Sequence, residues 1–404
     1  MSSGRILLLE NIHADAKKNL EAEGFEVELL TKALPEADLV KAVQGAIGLG
    51  IRSKTQITKK VIEAAKPSVR VFGAFCIGTN QIALEEATKA GIPVFNAPFS
   101  NTRSVAEMIL AEIVMLSRRL GDRNTEMHKS IWTKSAAGSH EVRGKTLGII
   151  GYGHIGRQIG VLAEAMGMNV LFYDIAARLP MGNNRNAGKL ETLLAEADFV
   201  TLHVPETPET KDMIGEAELA RMKKGACLLN ASRGTVVVIP ALAAAIKSGH
   251  VGGAAVDVFP VEPEGNDTPF ASELQGLPNV VLTPHIGGST SEAQVAIGHE
   301  VSGSLIKFLQ NGTTTGSVSF PQAEMPRRAG VHRIAHVHKN VPGVLRDVNR
   351  IVSEAEANVV GQVLATDPNI GYLLMDLEDN HQASSALVTK MRALDTTISA
   401  TVLY

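Results

Sequence analysis

The stretch TLGIIGYGHIG, residues 146–156, decides the fold of the chain. An apolar run enters three glycines spaced as G-x-G-x-x-G, and a helix-type sequence, RQIGVLAEAMG, follows them. Gly151 permits a tight turn, Gly153 lets a pyrophosphate approach the backbone, and Gly156 lets the helix pack on the strand. The amides at the start of that helix, together with its dipole, favour phosphate groups. The stretch therefore predicts a strand, a dinucleotide-binding turn and a helix.

The next strand along the chain ends in an acid. Asp174 lies 18 residues beyond Gly156, where a carboxylate can accept hydrogen bonds from both ribose hydroxyls of a dinucleotide. The same carboxylate repels a 2′-phosphate, so the sequence favours NAD over NADP. The alternative is a glycine-rich turn beside a solvated aspartate, but strand, glycines, helix and acid all agree with a nucleotide site.

Short apolar runs alternate with helix-type sequence over most of the chain, which is typical of parallel sheets flanked by helices. Six strand candidates amount to one doubly wound domain around the glycine turn: 146–153, 169–174, 198–205, 227–232, 252–259 and 279–285. Four others precede them, at 5–11, 46–51, 69–75 and 92–98. Between the two groups, 104–120 has apolar residues at helical spacing, and Ser104 with Glu107 has capping-box spacing at its start.

The last quarter of the chain is organised differently. Gly, Thr, Ser and Pro dominate 311–330, which indicates a linker, and its glycines are candidates for hinges. Beyond it, the strand-type and helix-type segments of 333–404 follow the order βαββαβ. That order predicts a ferredoxin-like fold for a separate module.

The composition excludes several classes of protein. Of 404 residues, 45% are hydrophobic and 20% charged, as in globular proteins, and the formal net charge of −3 gives no reason to expect nucleic acid or a membrane as partner. Cys76 and Cys227 lie in apolar surroundings, which favours free thiols in a reducing compartment. The longest apolar stretch, 235–246, is interrupted by Pro240 and is too short to span a bilayer. We expect a soluble cytoplasmic protein without a metal site.

Three strand ends of the doubly wound region carry residues suited to chemistry on an alcohol. CLLNASRGT contains Arg233, AVDVFPVEP contains Glu262, and VVLTPH ends in His285. Ligands of open α/β sheets bind beyond the carboxyl ends of the strands. Arg233 can hold a substrate carboxylate with its planar fork, His285 can exchange a proton with a hydroxyl, and Glu262 can orient the imidazole and raise its pKa.

Each of these residues has an ordinary alternative interpretation when it is taken alone. A single histidine is more often structural, an arginine after Ala-Ser is usually a surface charge, and a glutamate before proline usually belongs to a turn. Beside a dinucleotide fingerprint, however, the combination predicts a hydride-transfer site, in which the nicotinamide supplies the redox chemistry.

Four of the stretches together resemble one family, the D-isomer-specific 2-hydroxyacid dehydrogenases: GYGHIGRQIG, LNASRGTVV, AAVDVFPVEP and LTPHIGGST. Arg233, Glu262 and His285 match that family's catalytic arginine, glutamate and histidine. FCIGTNQI and GIPVFNAPFSNTRSVAE narrow the resemblance to the branch that oxidises 3-phosphoglycerate to 3-phosphooxypyruvate at the start of the phosphorylated route to L-serine. The tail HVHKNVPGVL resembles an ACT domain that binds serine as a feedback inhibitor.

The resemblance implies an α/β protein with a Rossmann-type NAD domain inserted in a flavodoxin-like substrate domain. The NAD domain would be 102–287, and the substrate domain would comprise 1–101 and, with the linker, 288–329. Residues 330–404 would form the ACT domain. A homotetramer is expected, and the loop with Trp132 would reach across a subunit interface, the alternative being an ordinary core tryptophan.

The resemblance also implies a role for individual residues. The cofactor would lie against Gly151, Gly153, His154, Ile155, Gly156, Asp174, Ala231, Ser232, Asp257, Gly287 and Gly288. The substrate phosphate would face Arg52, Lys54 and Asn101, where Lys54 departs from the second arginine common in the family. Lysine keeps the charge but loses the fork geometry. The effector serine would contact His338, Asn340 and Asn358. Val238 replaces a usual acidic residue, which we interpret as a modest packing change.

Two other functions stay open at this point. One is a dehydrogenase for another D-2-hydroxyacid, such as glycerate, lactate or 2-hydroxyglutarate. Neutral residues in place of Arg52 and Lys54 would separate it from the main hypothesis, because only a phosphorylated substrate needs both cations. The other is a non-enzymatic NAD sensor with the same fold, against which the complete set of arginine, glutamate and histidine argues.

Overall fold

The computed structural model of the chain describes residues 4–263, 268–378 and 381–404. It divides into two compact units, one made of the chain up to Ser100 together with Gln294–Tyr404, and the other of Asn101–Ala293. Among the described residues, no helix combines the length and apolar character that crossing a bilayer requires.

The first unit begins with a five-stranded parallel sheet. Its strands are β1 (Arg5–Leu8), β2 (Glu26–Leu29), β3 (Ala46–Ile51), β4 (Val71–Ala74) and β5 (Val94–Phe95), in the order β2-β1-β3-β4-β5. The connecting helices are α1 (Ala14–Ala22), α2 (Glu36–Ala42), α3 (Lys59–Ala65) and α4 (Leu84–Lys89). The strand order is that of a flavodoxin-like sheet. Apolar clusters cover both faces, which is why β3 is a continuous apolar run rather than an alternating one.

The second unit contains the doubly wound sheet. Two helices, α5 (Thr102–Arg118) and α6 (Leu120–His128), precede it. Its seven parallel strands are β6 (Thr146–Ile150), β7 (Asn169–Tyr173), β8 (Arg185–Asn186), β9 (Phe199–Leu202), β10 (Cys227–Asn230), β11 (Gly253–Val256) and β12 (Val280–Leu282), in the order β12-β11-β10-β9-β6-β7-β8. Its helices are α7 (His154–Ala165), α8 (Leu190–Glu196), α9 (Glu216–Arg221) and α10 (Ile239–Lys247). The direction of winding reverses between β6 and β9, where such sheets bind their ligands.

The start of α5 differs from the prediction. The helix begins at Thr102, after Asn101, whose side chain makes no capping hydrogen bond. The predicted capping box is wrong, because Ser104 and Glu107 lie inside the first turns and have other partners. The hydroxyl of Ser104 is 2.7 Å from the hydroxyl of Thr290, and Glu107 forms an ion pair of 2.6 Å with Arg103.

The polypeptide returns to the first unit through α11 (Ser291–Asn311) and ends in a βαββαβ module. This module consists of β13 (Val331–Lys339), α12 (Val344–Glu354), β14 (Val359–Thr366), β15 (Ile370–Glu378), α13 (His381–Arg392) and β16 (Thr397–Val402). Its antiparallel sheet has the order β14-β15-β13-β16. Apolar residues of α12 and α13 pack on one face of the sheet.

The predicted linker, 311–330, is packed rather than free. Thr314 is fully buried, and its hydroxyl donates to the carbonyl oxygen of Pro321 (2.6 Å). Gly312 has a φ of +76° and lies so close to Leu374 that a side chain there would overlap it. The buried guanidinium of Arg333 donates to both carboxylate oxygens of Asp376 (2.6 and 2.8 Å) and to the carbonyl oxygens of Asn311, Met325 and Pro326. These contacts argue against a hinge at Gly312.

Candidate active site

The glycine turn after β6 has the geometry that a dinucleotide requires. Gly151 has a φ of +91°, and a Cβ there would overlap the carbonyl oxygen of His203. A Cβ on Gly156 would overlap the carbonyl oxygen of Gly151, so the third glycine allows α7 to lie against the strand. Around Gly153 no heavy atom lies within 4 Å of a Cβ position, so the backbone is open there and α7 begins at the next residue, His154. The turn and the first turn of α7, which includes the half-buried Ile155, fit a pyrophosphate.

Asp174 is fixed directly after β7. Its Oδ2 accepts a hydrogen bond from the backbone N–H of Tyr152, and its Oδ1 accepts one from Ala176, both at 2.9 Å. Arg178 lies 3.3 Å from Oδ2. The carboxylate is therefore held beside the glycine turn, where the sequence predicted the contact with the ribose.

The segment that carries Arg233 is organised by Asn230, a buried residue at the end of β10 that the sequence analysis missed. The Oδ1 of Asn230 accepts hydrogen bonds from the N–H (3.1 Å) and the hydroxyl (2.8 Å) of Ser232. Its Nδ2 donates to the carbonyl oxygen of Arg233 (3.0 Å). This network fixes Ala231, Ser232 and Arg233 in one conformation at the carboxyl edge of the sheet. The guanidinium of Arg233 donates to the carbonyl oxygen of Ser232 (2.7 Å).

Asp257 holds the turn that carries the candidate catalytic histidine. Its Oδ1 accepts hydrogen bonds from the hydroxyl of Thr283 (2.6 Å) and the N–H of Ile286 (2.8 Å), and its Oδ2 accepts one from the N–H of Gly287 (2.8 Å). The N–H of His285 donates to the carbonyl oxygen of the same aspartate (2.8 Å). His285 has a φ of +55°, which residues other than glycine seldom adopt. The hydrogen bonds to Asp257 therefore maintain an unfavourable backbone conformation at His285.

The ring of His285 is paired with Glu262. Its Nδ1 lies 2.8 Å from Oε2 and 3.1 Å from Oε1 of the carboxylate, and Oε1 also accepts the N–H of Phe259 (3.2 Å). Hydrogen bonding to Glu262 raises the pKa of His285 above its usual value, against the opposing effects of partial burial and of the charge on Arg233. Burial is the largest single influence on the pKa of Glu262 and would raise it, but the hydrogen bond and charge of His285, the N–H of Phe259 and the charge of Arg233 together lower that pKa.

This pairing fixes the chemistry that His285 can perform. A carboxylate can only accept, so Nδ1 carries a proton and Nε2 is the atom that can receive or return one. Half of the His285 side chain is exposed, which leaves the ring accessible to a small molecule. Arg233 contributes a positive charge to the same site. The arrangement can deprotonate an alcohol next to a bound carboxylate.

A second carboxyl group lies near Asp257, on helix α5. Burial, with a contribution from the charge of Asp257, raises the pKa of Glu112 to about 8, so Glu112 is mostly protonated at neutral pH. The sequence analysis missed this residue because its spacing places it among the apolar positions of the helix.

Asn101 lies within the second unit, against the turn after His285. A Cβ on Gly288 would overlap the side-chain amide of Asn101, and a Cβ on Gly287 would lie 3.1 Å from Oδ2 of Asp257. Gly288 is therefore needed for the backbone to pass this closely, whereas a side chain at position 287 would only be tightly packed. The Oδ1 of Asn101 is buried and accepts no hydrogen bond from the described residues.

The other two predicted substrate residues, Arg52 and Lys54, lie in the first unit, on the loop that follows β3. Within the part of the chain that the structure describes, neither side chain forms an ion pair with an acid. The same loop is held by Glu10, whose carboxylate accepts hydrogen bonds from its backbone.

The predicted effector residues do not form one cluster within a chain. His338, which is buried, pairs with Gly371 at one end of β15, and Asn340 follows on the same side. Asn358 precedes β14 and bonds to Glu378 at the other end of β15 (2.8 Å). The seven residue steps from Gly371 to Glu378 correspond to about 24 Å along a strand. One copy of the chain therefore does not bring the three residues together.

Comparison with known proteins agrees with this geometry. The NAD-binding domain of the D-isomer-specific 2-hydroxyacid dehydrogenases matches residues 110–287, and an ACT domain like that of the AHAS small subunit matches 334–399. The solved structure of the TT0316 protein from Thermus thermophilus is 32% identical, with a TM-score of 0.69, over 78% of this chain and 99% of that one. A D-isomer-specific 2-hydroxyacid dehydrogenase from Lactobacillus delbrueckii, solved in an NAD-complexed form, is 27% identical with a TM-score of 0.68 over 78% and 99%. The chain belongs to the D-isomer-specific 2-hydroxyacid dehydrogenase family.

Relatives that match over the full length narrow the assignment. The D-3-phosphoglycerate dehydrogenase of Dictyostelium discoideum is 54% identical over 400 residues, which cover 99% of this chain and 97% of the relative. The enzyme of the same name from Escherichia coli strain K12 is 49% identical over 401 residues, with the same coverage. Within the family, the chain is similar over its full length to the D-3-phosphoglycerate dehydrogenases. The resemblance and the fold class predicted from the sequence are confirmed.

Proposed function

We propose that this chain catalyses the NAD-dependent oxidation of D-3-phosphoglycerate to 3-phosphooxypyruvate, the first step of the phosphorylated route to L-serine. The observation that carries the proposal is the hydrogen-bonded pair of His285 and Glu262, with Arg233 charged beside it, at the carboxyl edge of the doubly wound sheet. Full-length similarity to enzymes of that name supports the choice of substrate.

Each residue of the site has its own role in the proposed reaction. Arg233 binds the substrate carboxylate and orients the neighbouring carbon. The Nε2 of His285 takes the proton of the 2-hydroxyl, and Glu262 stabilises the resulting imidazolium through Nδ1. The glycine turn would hold the pyrophosphate of NAD and Asp174 its ribose, and the bound cofactor would accept the hydride from the substrate carbon. In the reverse reaction, the same imidazolium returns its proton to the 2-oxygen.

The phosphate of the substrate is assigned to Arg52 and Lys54, with Asn101 as a further contact. Support comes from two cations on one loop, unpaired with acids in the described part of the chain, and from the family resemblance. Arginine can bind two phosphate oxygens at once, whereas lysine acts as a point charge. We therefore expect Arg52 to contribute more to phosphate affinity than Lys54.

The ACT module is assigned to regulation by serine, between two copies of the chain. Support comes from the placement of His338 and Asn340 at one end of the sheet and of Asn358 at the other, so that one copy alone cannot present all three. The edge strand β14 also exposes Val359, Val360 and Leu364. A homotetramer agrees with this and with Trp132, which is 77% exposed and therefore not a core residue.

The proposal is tested by NADH formation at alkaline pH from D-3-phosphoglycerate, D-glycerate, D-lactate and D-2-hydroxyglutarate. We expect kcat/KM to be about 100-fold higher for the phosphorylated acid, because charged hydrogen bonds contribute about 1.5–3 kcal/mol each. Replacing Arg52 and Lys54 together by methionine should remove this preference, whereas Lys59→Met, on the exposed side of α3, should not. A preference for an unphosphorylated acid would replace the substrate assignment, and no turnover of any acid would favour the sensor.

The effector assignment has a separate test. Saturating serine should lower the rate with D-3-phosphoglycerate, and Asn358→Ala should weaken this inhibition while leaving the uninhibited rate unchanged, because it lies far from His285 in the sequence and in another unit. If serine leaves the rate of the unmodified protein unchanged, the module has another ligand or only an assembly role.

A further inference from the structure

The end of β1 carries a buried acid, Glu10, that lies outside the motifs identified in the sequence. The polypeptide leaves the strand through Glu10 and Asn11, whose φ angles of +63° and +53° are both left-handed. This turn directs the side chain of Glu10 inward, and the residue is 8% exposed. Non-glycine residues pay a conformational penalty in this region, so two in succession indicate that the position of Glu10 matters.

The carboxylate of Glu10 is the acceptor for the loop after β3. Its Oε1 accepts hydrogen bonds from the N–H groups of Thr55 (2.8 Å) and Arg52 (3.2 Å), and its Oε2 accepts one from Lys54 (2.9 Å). Three donors on four consecutive residues therefore converge on one side chain. An ionised acceptor makes stronger bonds to amides than a neutral one does.

A second side chain, that of Gln81, bonds to a carbonyl oxygen of the same loop. The Nε2 of Gln81 donates to the carbonyl oxygen of Arg52 (2.6 Å) and to that of Gly78 (3.2 Å). Thr55, at the end of the loop, is almost completely buried. Glu10 thus holds three amides of the segment 52–55, and Gln81 holds the carbonyl oxygen of Arg52.

The charges on this loop are distributed in an unusual way. The carboxylate of Glu10 bonds to the backbone of the two residues that carry the cations. Within the described residues, however, it forms an ion pair with neither the guanidinium of Arg52 nor the ammonium of Lys54. Its oxygens are occupied by the backbone amides instead. Both cationic groups therefore remain available for an external anion, while their backbone is held in one conformation.

We propose that Glu10 is a positioning residue for the substrate phosphate. It fixes the 52–55 loop through the three amides, so that Arg52 and Lys54 are presented to the phosphate without a loss of backbone freedom on binding. Preorganisation of this kind raises affinity by lowering the ordering cost. The inference rests on the proposed function, because it assumes that these two cations bind the phosphate.

Glu10→Gln tests the proposal with little change in size. The amide oxygen of glutamine can still accept from Arg52 and Thr55, but its NH2 group would face the N–H of Lys54, and two donors cannot bond to each other. We expect KM for D-3-phosphoglycerate to rise about tenfold, since one charge-assisted hydrogen bond is lost and one amide is left unpaired. The value of kcat, KM for NAD and kcat/KM for D-glycerate should stay within about threefold of the unmodified protein.

The measured quantity is the ratio of kcat/KM for D-3-phosphoglycerate to kcat/KM for D-glycerate, together with the melting temperature. Glu85→Gln, at an exposed ion pair on α4, is the matched control and should leave the ratio unchanged. Glu10→Asp keeps the charge on a shorter side chain and should give an intermediate ratio. If Glu10→Gln does not fold, the ratio measured for Glu10→Asp tests the proposal instead.

The outcomes separate the two proposals. A fall of the ratio in the Glu10 variants, but not in the Glu85 variant, supports the positioning role. If the unmodified protein prefers the phosphorylated acid and the Glu10 variants keep that preference, even with a lower melting temperature, Glu10 is only structural and the inference is overturned. If the unmodified protein shows no preference, the substrate assignment itself fails, and the positioning role fails with it.

Discussion

Two buried carboxylates, one in each unit, hold loops in the same way but serve different groups. Asp257 accepts hydrogen bonds from Thr283, Ile286 and Gly287, and its turn carries His285. Glu10 accepts three from the backbone of residues 52–55, and its loop carries two cations. In each case several hydrogen-bond donors converge on one fixed acid, and the functional side chain on the same turn or loop is not bonded to the carboxylate of that acid.

The difference lies in where the backbone strain is placed. At the turn held by Asp257, the left-handed residue is His285 itself, so the acid holds the candidate catalytic group in a backbone conformation that it would otherwise leave. At the end of β1, the acid itself, Glu10, is left-handed together with the next residue, Asn11, and the two cations lie on a different segment whose amides bond to Glu10. Disturbing Asp257 should therefore affect the chemical step, whereas disturbing Glu10 should affect the binding of one substrate group.

The largest effect is expected from removing the base. His285→Ala should lower kcat for oxidation of D-3-phosphoglycerate by about 10³-fold, which lies within the range for a general base. Binding of NADH, followed by its fluorescence, should be unchanged because the glycine turn and Asp174 are untouched. A variant that keeps more than a tenth of the activity would show that another group takes the proton.

A smaller effect is expected from Asp257→Asn, which sharpens the comparison with Glu10. The amide NH2 would face the N–H of either Ile286 or Gly287, so the turn would lose a charge-assisted bond and the position of His285 would relax. We expect kcat to fall by about 10- to 100-fold and KM for the substrate to change by less than about threefold. Steady-state kinetics beside Glu10→Gln provide the test. If both variants change mainly KM, the two acids do not differ as argued.

The sequence predicted the strands of the doubly wound sheet better than it predicted the residues that hold the candidate active site in place. Strands β6, β7, β9, β10, β11 and β12 lie within the predicted runs because buried parallel strands are continuously apolar. β2 was missed because it reads EVEL, with polar residues at alternate positions, and β8 because it has two residues. The capping box failed because its spacing also occurs inside a helix, where Ser104 and Glu107 found other partners.

The site residues also fall into two groups, those that a local sequence motif reveals and those that it does not. His285, Glu262 and Arg233 stand at strand ends in recognisable motifs, and the structure brings the first two into a hydrogen bond. Glu10 and Asn230 act through backbone groups that are distant in the sequence or carry no side-chain signature, so no local pattern reveals them. Asn358 illustrates a different limit, because its separation from His338 becomes visible only in the register of the antiparallel sheet.

The smallest effect concerns the pH dependence that Glu262 imposes on His285. Oxidation needs a neutral imidazole, so kcat/KM should rise with pH as His285 loses its proton. The bond to Glu262 raises that pKa, with Asp257 acting in the same direction and Arg233 in the opposite one. In Glu262→Gln the negative charge is lost, so the pKa should fall and the acidic limb should move to lower pH. The plateau should fall about tenfold, because the imidazolium loses a charge-assisted partner.

The pH profile of this variant can be separated from a general loss of activity. Asp257→Asn keeps Glu262 and should lower the plateau with a much smaller displacement of the acidic limb, because hydrogen bonding to Glu262 is the largest influence on the pKa of His285. An acidic limb that does not move in Glu262→Gln would mean that a group other than His285 controls the protonation step. That result would leave the turn held by Asp257 with a binding role, like that of the loop held by Glu10.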